Sequence, residues 1–251
     1  MLVSDIVRRN AEFFGERDAI VAPGRPTLSW TALEERTNRL ARALLALGLR
    51  KGDRVAILAP NCGEYIELFF ACARSGIVGA ATNIRLTAAD LAAYLAGVGP
   101  GAAIVHAAVA DLARDCVARL PGCERIVGVG EGHGVDLDLE TLVAAAEPSD
   151  PGCRVVETDP YQLAATSGTT GVPKGAVLSH RNAIAGMLNW AAELPLREGD
   201  THLQCIPLFF NPGGPAGLHP VMLKGGRTVI PGGFEPGGFL DAVERHRVNH
   251  T

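Results

Sequence analysis

Two apolar runs, 163–165 and 176–178, enclose the stretch Thr166-Ser167-Gly168-Thr169-Thr170-Gly171-Val172-Pro173-Lys174-Gly175. Its ten residues include three glycines, four hydroxyl side chains, a proline and a lysine. That composition predicts a phosphate-holding loop between two strands. Glycines let the backbone turn at positive φ and bring N–H groups close to a ligand, hydroxyls donate to phosphate oxygens, and the lysine adds a mobile positive charge. No other segment of the chain combines these features.

The surrounding pattern sets the fold class. An amphipathic helix over 3–14 leads to a strand at 18–22 and a helix over 31–47 with Gly48 at its end. Strands at 53–58, 77–81, 102–106 and 125–129 then alternate with helices at 62–75, 87–97 and 109–120, with Thr87 as an N-cap. Residues 130–160 are rich in Gly, Asp, Glu and Pro and are expected to be an irregular connection with one short helix at 139–146. Past the loop come a strand at 176–179, a helix at 180–192, a strand at 201–206, an irregular stretch at 207–217, a helix at 218–223, a strand at 227–230 and a helix at 236–247. Such alternation predicts an α/β fold layered around largely parallel sheets. The division expected is a first α/β subdomain over 1–160 and the start of a second over 161–251. Alternation calls for another strand where the chain stops, at Val248-Asn249-His250-Thr251, so a piece of a longer protein is expected.

Composition excludes several classes. A hydrophobic fraction of 47% argues against disorder, and a net charge of -4 with scattered lysine and arginine gives no footprint for nucleic acid or an anionic membrane. The six cysteines form no CxxC pair and are too sparse for a disulfide scaffold, so reduced thiols and a cytoplasmic location are expected. The N-terminus lacks the apolar core of a secretion signal, and the most apolar segment, 68–81, is interrupted by Arg74 and too short to span a bilayer.

Three catalytic patterns fail on spacing. A P-loop counted from Gly168 would need glycine where Pro173 stands and a hydroxyl where Gly175 stands. The glycines do not make G-x-G-x-x-G, and the residues around Ser167 do not make G-x-S-x-G. His180 and His219 have no companion at zinc-ligand spacing, and His180 is expected to serve as packing at a helix start.

The string TSGTTGVPKG followed by AVLSHRN closely resembles the phosphate-binding signature of the adenylate-forming superfamily, which includes acyl-CoA synthetases, peptide-synthetase adenylation domains and luciferases. Further stretches resemble the same family: Leu28-Ser29-Trp30 with Leu33, Gly52 to Val55 with Asn61, Gly76 to Leu91 with Asn83, Arg85 and Leu86, and Pro207-Leu208-Phe209-Phe210-Asn211-Pro212-Gly213. The resemblance implies that Thr166, Ser167, Gly168, Thr169, Thr170, Gly171 and Lys174 bind the β- and γ-phosphates of ATP. It also implies that Phe209, Phe210, Asn211, Gly213 and Gly214 line the acyl-substrate site near a pantetheine tunnel. Phe210 stands where the family commonly has histidine, keeping bulk and losing a hydrogen-bonding nitrogen; plain core packing of both phenylalanines is the competing expectation.

By the same resemblance the cofactors are ATP, Mg2+ and coenzyme A, and the partner is a carboxylic acid, fatty or aryl. The function implied is that of an acyl-CoA synthetase, with a peptide-synthetase adenylation domain as runner-up. The family's magnesium-binding acidic segment, ribose-binding aspartate, hinge and C-terminal domain with its lysine do not occur in residues 1–251, so no catalytic residue is assigned and the chain alone is expected to be inactive. A complete, non-catalytic nucleotide-binding module is the alternative from a different class. Strand edges left bare by truncation predict a homodimer or poor solubility.

Overall fold

The computed structural model describes residues 1–120, 122–166, 174–210 and 214–251. Helix α1 (Asp5–Phe14) turns Ile6, Val7 and Asn10 inward and leads to β1 (Asp18–Val21) and its short antiparallel partner β2 (Leu28–Ser29). Ser29 caps α2 (Trp30–Ala46), its hydroxyl accepting from the Ala32 N–H. The predicted alternation follows as β3 (Arg54–Leu58), α3 (Gly63–Ser75), β4 (Val78–Ala81), α4 (Ala88–Val98), β5 (Ala102–His106), α5 (Ala110–Val117) and β6 (Arg125–Val129). Gly76 closes α3 in the left-handed conformation at φ 73°, and Thr87 opens α4 by accepting from the Asp90 N–H.

The 130–160 connection contains α6 (Leu139–Ala145), as expected, and also a two-residue strand, β7 (Leu137–Asp138). Next come β8 (Pro160–Thr166) and β9 (Lys174–Ser179). Ser179 and Asn182 form a reciprocal capping box at the start of α7 (His180–Glu193). The chain continues through β10 (Thr201–Leu203), a wide turn Gly214–Leu218, α8 (His219–Leu223), β11 (Arg227–Val229) and α9 (Pro236–His246).

Among the described residues the strands make two sheets. The larger has the order β7-β6-β5-β3-β4-β8-β9, parallel except for the β8–β9 hairpin; the smaller has the order β10-β11-β1-β2, with only the β1–β2 pair antiparallel. Sheet membership does not follow chain order. Strands β8 and β9 extend the larger sheet alongside β4, whereas β1 pairs with β11 some two hundred residues later.

The larger sheet is covered on both faces. In β3, Val55 and Ile57 enter the core shared with α1, α2, α3, α7 and α8, while Ala56 and Leu58 face the core under α4 and α5. Every residue of α3 except Glu64 is buried, so its one buried carboxylate, Glu67, needs partners. Arg25, from the β1–β2 turn, lies 2.6 Å from Glu67 and 2.8 Å from Glu64; Arg36 of α2 lies 2.9 Å from Glu67 and 2.6 Å from Glu140 of α6. Two cations around one buried carboxylate fix the rotation of α3 about its axis.

A second side chain, besides Arg25, ties the two sheets. Asn61, after β3, donates to the carbonyls of Gln204 (3.2 Å) and Ile206 (3.0 Å) and accepts from the Leu208 N–H (2.8 Å). This clamp also explains why β10 stops at Leu203, short of the predicted 206: the Gln204 and Ile206 carbonyls are turned toward Asn61, away from any sheet neighbour.

Three histidines are buried neutral. His180 accepts from the Val3 N–H at 3.2 Å, as expected of packing at a helix start. Burial pushes the pKa of His180 and His202 down to about 4 and that of His219 to about 3. These groups favour the folded state above their unfolded value near 6.5, and that contribution is lost as pH falls toward 4. Stability should therefore drop over that window with a slope approaching about 1.4 kcal/mol per pH unit for each histidine; a urea midpoint unchanged between pH 7 and pH 4.5 would contradict this. Replacing Asn61 by Ala strands the Leu208 N–H and the Gln204 carbonyl, while the Ile206 carbonyl keeps the Gln204 amide, and should cost about 1–3 kcal/mol in urea unfolding, whereas a loss below about 0.5 kcal/mol would show that the clamp is not structural.

Candidate functional site

Parallel strands bring the loops that follow them to one edge, and in an open α/β sheet that carboxyl edge is where ligands bind. Here the carboxyl ends of both sheets meet. A cavity of about 170 Å³ is lined by Pro60 and Asn61 after β3, Ile84 and Arg85 after β4, Gln204, Cys205, Pro207 and Phe209 after β10, and residues 230–234 after β11. Its walls are largely apolar. Arg85 is the one charged side chain among the described lining residues, and it is exposed.

The floor is rigid. Gln204 is buried, with its amide N–H donating to the Ile206 carbonyl at 2.6 Å, its amide oxygen 3.1 Å from His202 Nε2, and its backbone N–H bonded to the Val229 carbonyl at 2.8 Å. Thr82, buried at the end of β4, donates to the Ile57 carbonyl. Asn83 accepts from the Arg85 N–H at 3.0 Å and so shapes the turn that presents Arg85.

The loop predicted to hold phosphate is anchored at this same edge. Strand β8 runs parallel to β4 in the register Gly79↔Gln162, Ala80↔Leu163, Ala81↔Ala164, so Thr166 emerges just past the end of β4. Thr166 pairs with Lys174, the first residue of β9, and Ala165 pairs with Gly175. The two ends of the stretch are thereby held together across a hairpin, as expected of a loop between two strands. Ser167, Gly168, Thr169, Thr170 and Gly171 lie outside the described residues.

The residues expected at the acyl site divide. Phe209 is buried and lines the cavity; Phe210 is 36% exposed, its ring edge-on to Phe209 with centroids 4.7 Å apart. Gly214 is buried against α3, where a Cβ would stand 3.3 Å from Phe69 Cζ, so a larger residue would push on that ring. Asn211 and Gly213 lie outside the described residues. Sequence reasoning did not single out Gln204, Cys205 or residues 230–234, although their position just after strands was a usable signal.

No three His, Cys, Asp or Glu side chains cluster as metal ligands among the described residues. All six cysteines are free. No described helix is long and apolar enough to cross a membrane.

Comparison with known proteins agrees with this geometry. Residues 7–251 match the AMP-binding enzyme family. The chain is 37% identical over 232 residues to a feruloyl-CoA synthase of Amycolatopsis sp, covering 91% of this chain and 44% of that protein. It is 32% identical over 207 residues to the long-chain-fatty-acid–CoA ligase FadD13 of Mycobacterium tuberculosis, covering 81% of this chain and 40% of that protein. The N-terminal domain of FACL13 from Mycobacterium tuberculosis, solved with an inhibitor bound, superposes with a TM-score of 0.91 at 25% identity over 98% of this chain and 61% of that one. The chain thus spans less than half the length of these two curated relatives. It belongs to the AMP-binding enzyme family, and its fold is that of the N-terminal domain of the adenylate-forming enzymes.

Proposed function

We propose that this chain is the N-terminal portion of an acid–CoA ligase that forms an acyl-adenylate from a carboxylic acid and ATP and then transfers the acyl group to coenzyme A. The observation that carries the reading is the convergence of three parts at one carboxyl edge: the anchored ends of the TSGTTGVPKG stretch, the Phe209 segment, and the cavity between the two sheets. In the first half-reaction a carboxylate oxygen attacks the α-phosphorus and pyrophosphate leaves. Backbone donors and hydroxyls of 166–171 hold the β- and γ-phosphates, and Lys174, placed at the start of β9 by its pairing with Thr166, neutralises charge on the departing pyrophosphate.

In the second half-reaction a thiol sulfur attacks the acyl carbon and AMP leaves. At about 170 Å³ the inter-sheet cavity is smaller than sites that enclose whole drug-sized ligands, and its largely apolar wall suits the thiol arm of coenzyme A better than a nucleotide. Phe209 forms part of its wall. Phe210 has no titratable group, so it acts as a gate at the mouth and not as a proton carrier. An aryl or fatty acid is the substrate class proposed here, supported by the names of the two relatives, a feruloyl-CoA synthase and a long-chain-fatty-acid–CoA ligase.

In the full-length protein, acid-dependent exchange of pyrophosphate into ATP should be measurable with an aryl or fatty acid. Lys174→Ala should slow it about 100-fold with an unchanged circular dichroism spectrum. Absence of exchange across a broad acid panel would overturn the reading; wild-type exchange that Lys174→Ala leaves untouched would remove the role of Lys174.

A further inference from the structure

Among the described residues, β9 ends the larger sheet on one side, with β8 as its one neighbour. Lys174 opens this edge strand, and residues 174–177 are all exposed. A strand paired on one side only can rock about its hydrogen bonds, and a displacement of about 1 Å at a reacting centre can cost ~100-fold in rate. The pairs Thr166↔Lys174 and Ala165↔Gly175 put Lys174 and Gly175 on opposite faces of the sheet. Gly175 has no side chain with which to grip the core beneath it, so the strand is held there by what lies against its backbone.

Tyr94 of α4 is pressed against that backbone. A Cβ on Gly175 would stand 3.8 Å from both Cε2 and Oη of Tyr94, and 3.5 Å from Leu163 Cδ2. Tyr94 is buried, and it is the single aromatic side chain of the core under α4 and α5 among the described residues. Helix geometry explains how it reaches the hairpin. Helix α4 starts at the carboxyl edge, just after β4, and side chains on a helix tilt toward its N-terminus. A long ring about two turns below the Thr87 cap therefore points back up toward the edge where β9 begins. With only two side-chain torsions, a packed tyrosine is a stiff prop.

We propose that Tyr94 is a positioning residue for the first half-reaction: its ring backs β9 at Gly175, on the face opposite Lys174, and so fixes where the Lys174 side chain stands. The inference rests on the reading of the chain as part of an acid-activating enzyme with Lys174 at the departing pyrophosphate. The ring acts by its bulk. Its hydroxyl has no hydrogen-bond partner among the described residues, so removing the oxygen alone strands no other group described here. Shortening the side chain opens a gap beneath Gly175 and frees the start of β9 to shift toward α4.

The test is a double-mutant cycle in acid-dependent pyrophosphate exchange by the full-length protein. Tyr94→Leu keeps the position apolar and removes the reach of the ring; it should lower kcat/KM for ATP roughly 10-fold with the KM for the acid unchanged. Tyr94→Phe should stay within about 2-fold of wild type. In a Lys174→Ala background the same Tyr94→Leu change should cost less than about 2-fold, because the group it misplaces is already gone. An equal, roughly 10-fold loss in both backgrounds, as a general loosening of the core would give, would overturn the inference and leave acid activation standing. Wild-type rates in Tyr94→Leu would overturn it too. No acid-dependent exchange in wild type would overturn the activation reading and this inference with it. If Tyr94→Leu does not fold, 3-fluorotyrosine at position 94 decides: a 19F resonance that shifts on adding ATP to the wild type and not to Lys174→Ala supports the contact, whereas equal or absent shifts overturn it.

Discussion

Three hydrogen bonds made by one side chain hold the functional edge of this protein together. Asn61 leaves the larger sheet after β3 and spends both amide NH2 protons and its oxygen on the segment that follows β10 in the smaller sheet. Together with the ion pairs from Arg25 to Glu64 and Glu67, that link ties the two carboxyl edges. With it, Gln204, Pro207 and Phe209 are fixed relative to Pro60 and Arg85, and the gap between the sheets has a defined width. The register of β8 against β4 then sets where Thr166 and Lys174 stand, at the same carboxyl edge.

Electrostatics inside the fold serve position more than net stability. Glu67, wholly buried, is held by Arg25 and Arg36, and replacing such a network with apolar residues is often neutral or stabilising. Its consequence is orientation. With Glu67 fixed toward α2 and the β1–β2 turn, the same helix must turn Tyr65 and Phe69 toward the carboxyl edge and the turn at Gly214. A second network does the same for the neighbouring helices: Arg74 binds Glu34 and Asn38 of α2 and donates to the Ser4 carbonyl at 3.2 Å, tying α1, α2 and α3 together. The helices that back the site are thus locked to one another by ion pairs.

Much of this architecture was legible in the sequence because it is written locally. Helix starts at Thr87 and Ser179 and the stop at Gly76 depend on residues within four positions of one another. Strand pairing does not. Nothing near Asp18 announces that β1 lies against Arg227–Val229, and nothing in the two-residue run Leu137–Asp138 marks it as a strand before β6 is present to pair with it. The adjacent pair Phe209 and Phe210 shows the same limit at the site: identical side chains in one apolar run, separated only when tertiary packing buries the first and leaves the second partly in solvent. For His219 the sequence shows only that it has no companion at zinc-ligand spacing; that both its ring nitrogens lack a hydrogen-bond partner among the described residues emerges only from the fold.

The central claim is that the carboxyl edges of the two sheets form one ligand site. Hydrogen exchange on the full-length protein, with and without ATP and an activatable acid, tests it most directly. The account predicts added protection in 60–62, 82–85, 204–210 and around 166 and 174, with the opposite edge near Asp18, Thr201 and Arg227 unchanged. Protection centred on that opposite edge, or none at 204–210, would contradict it.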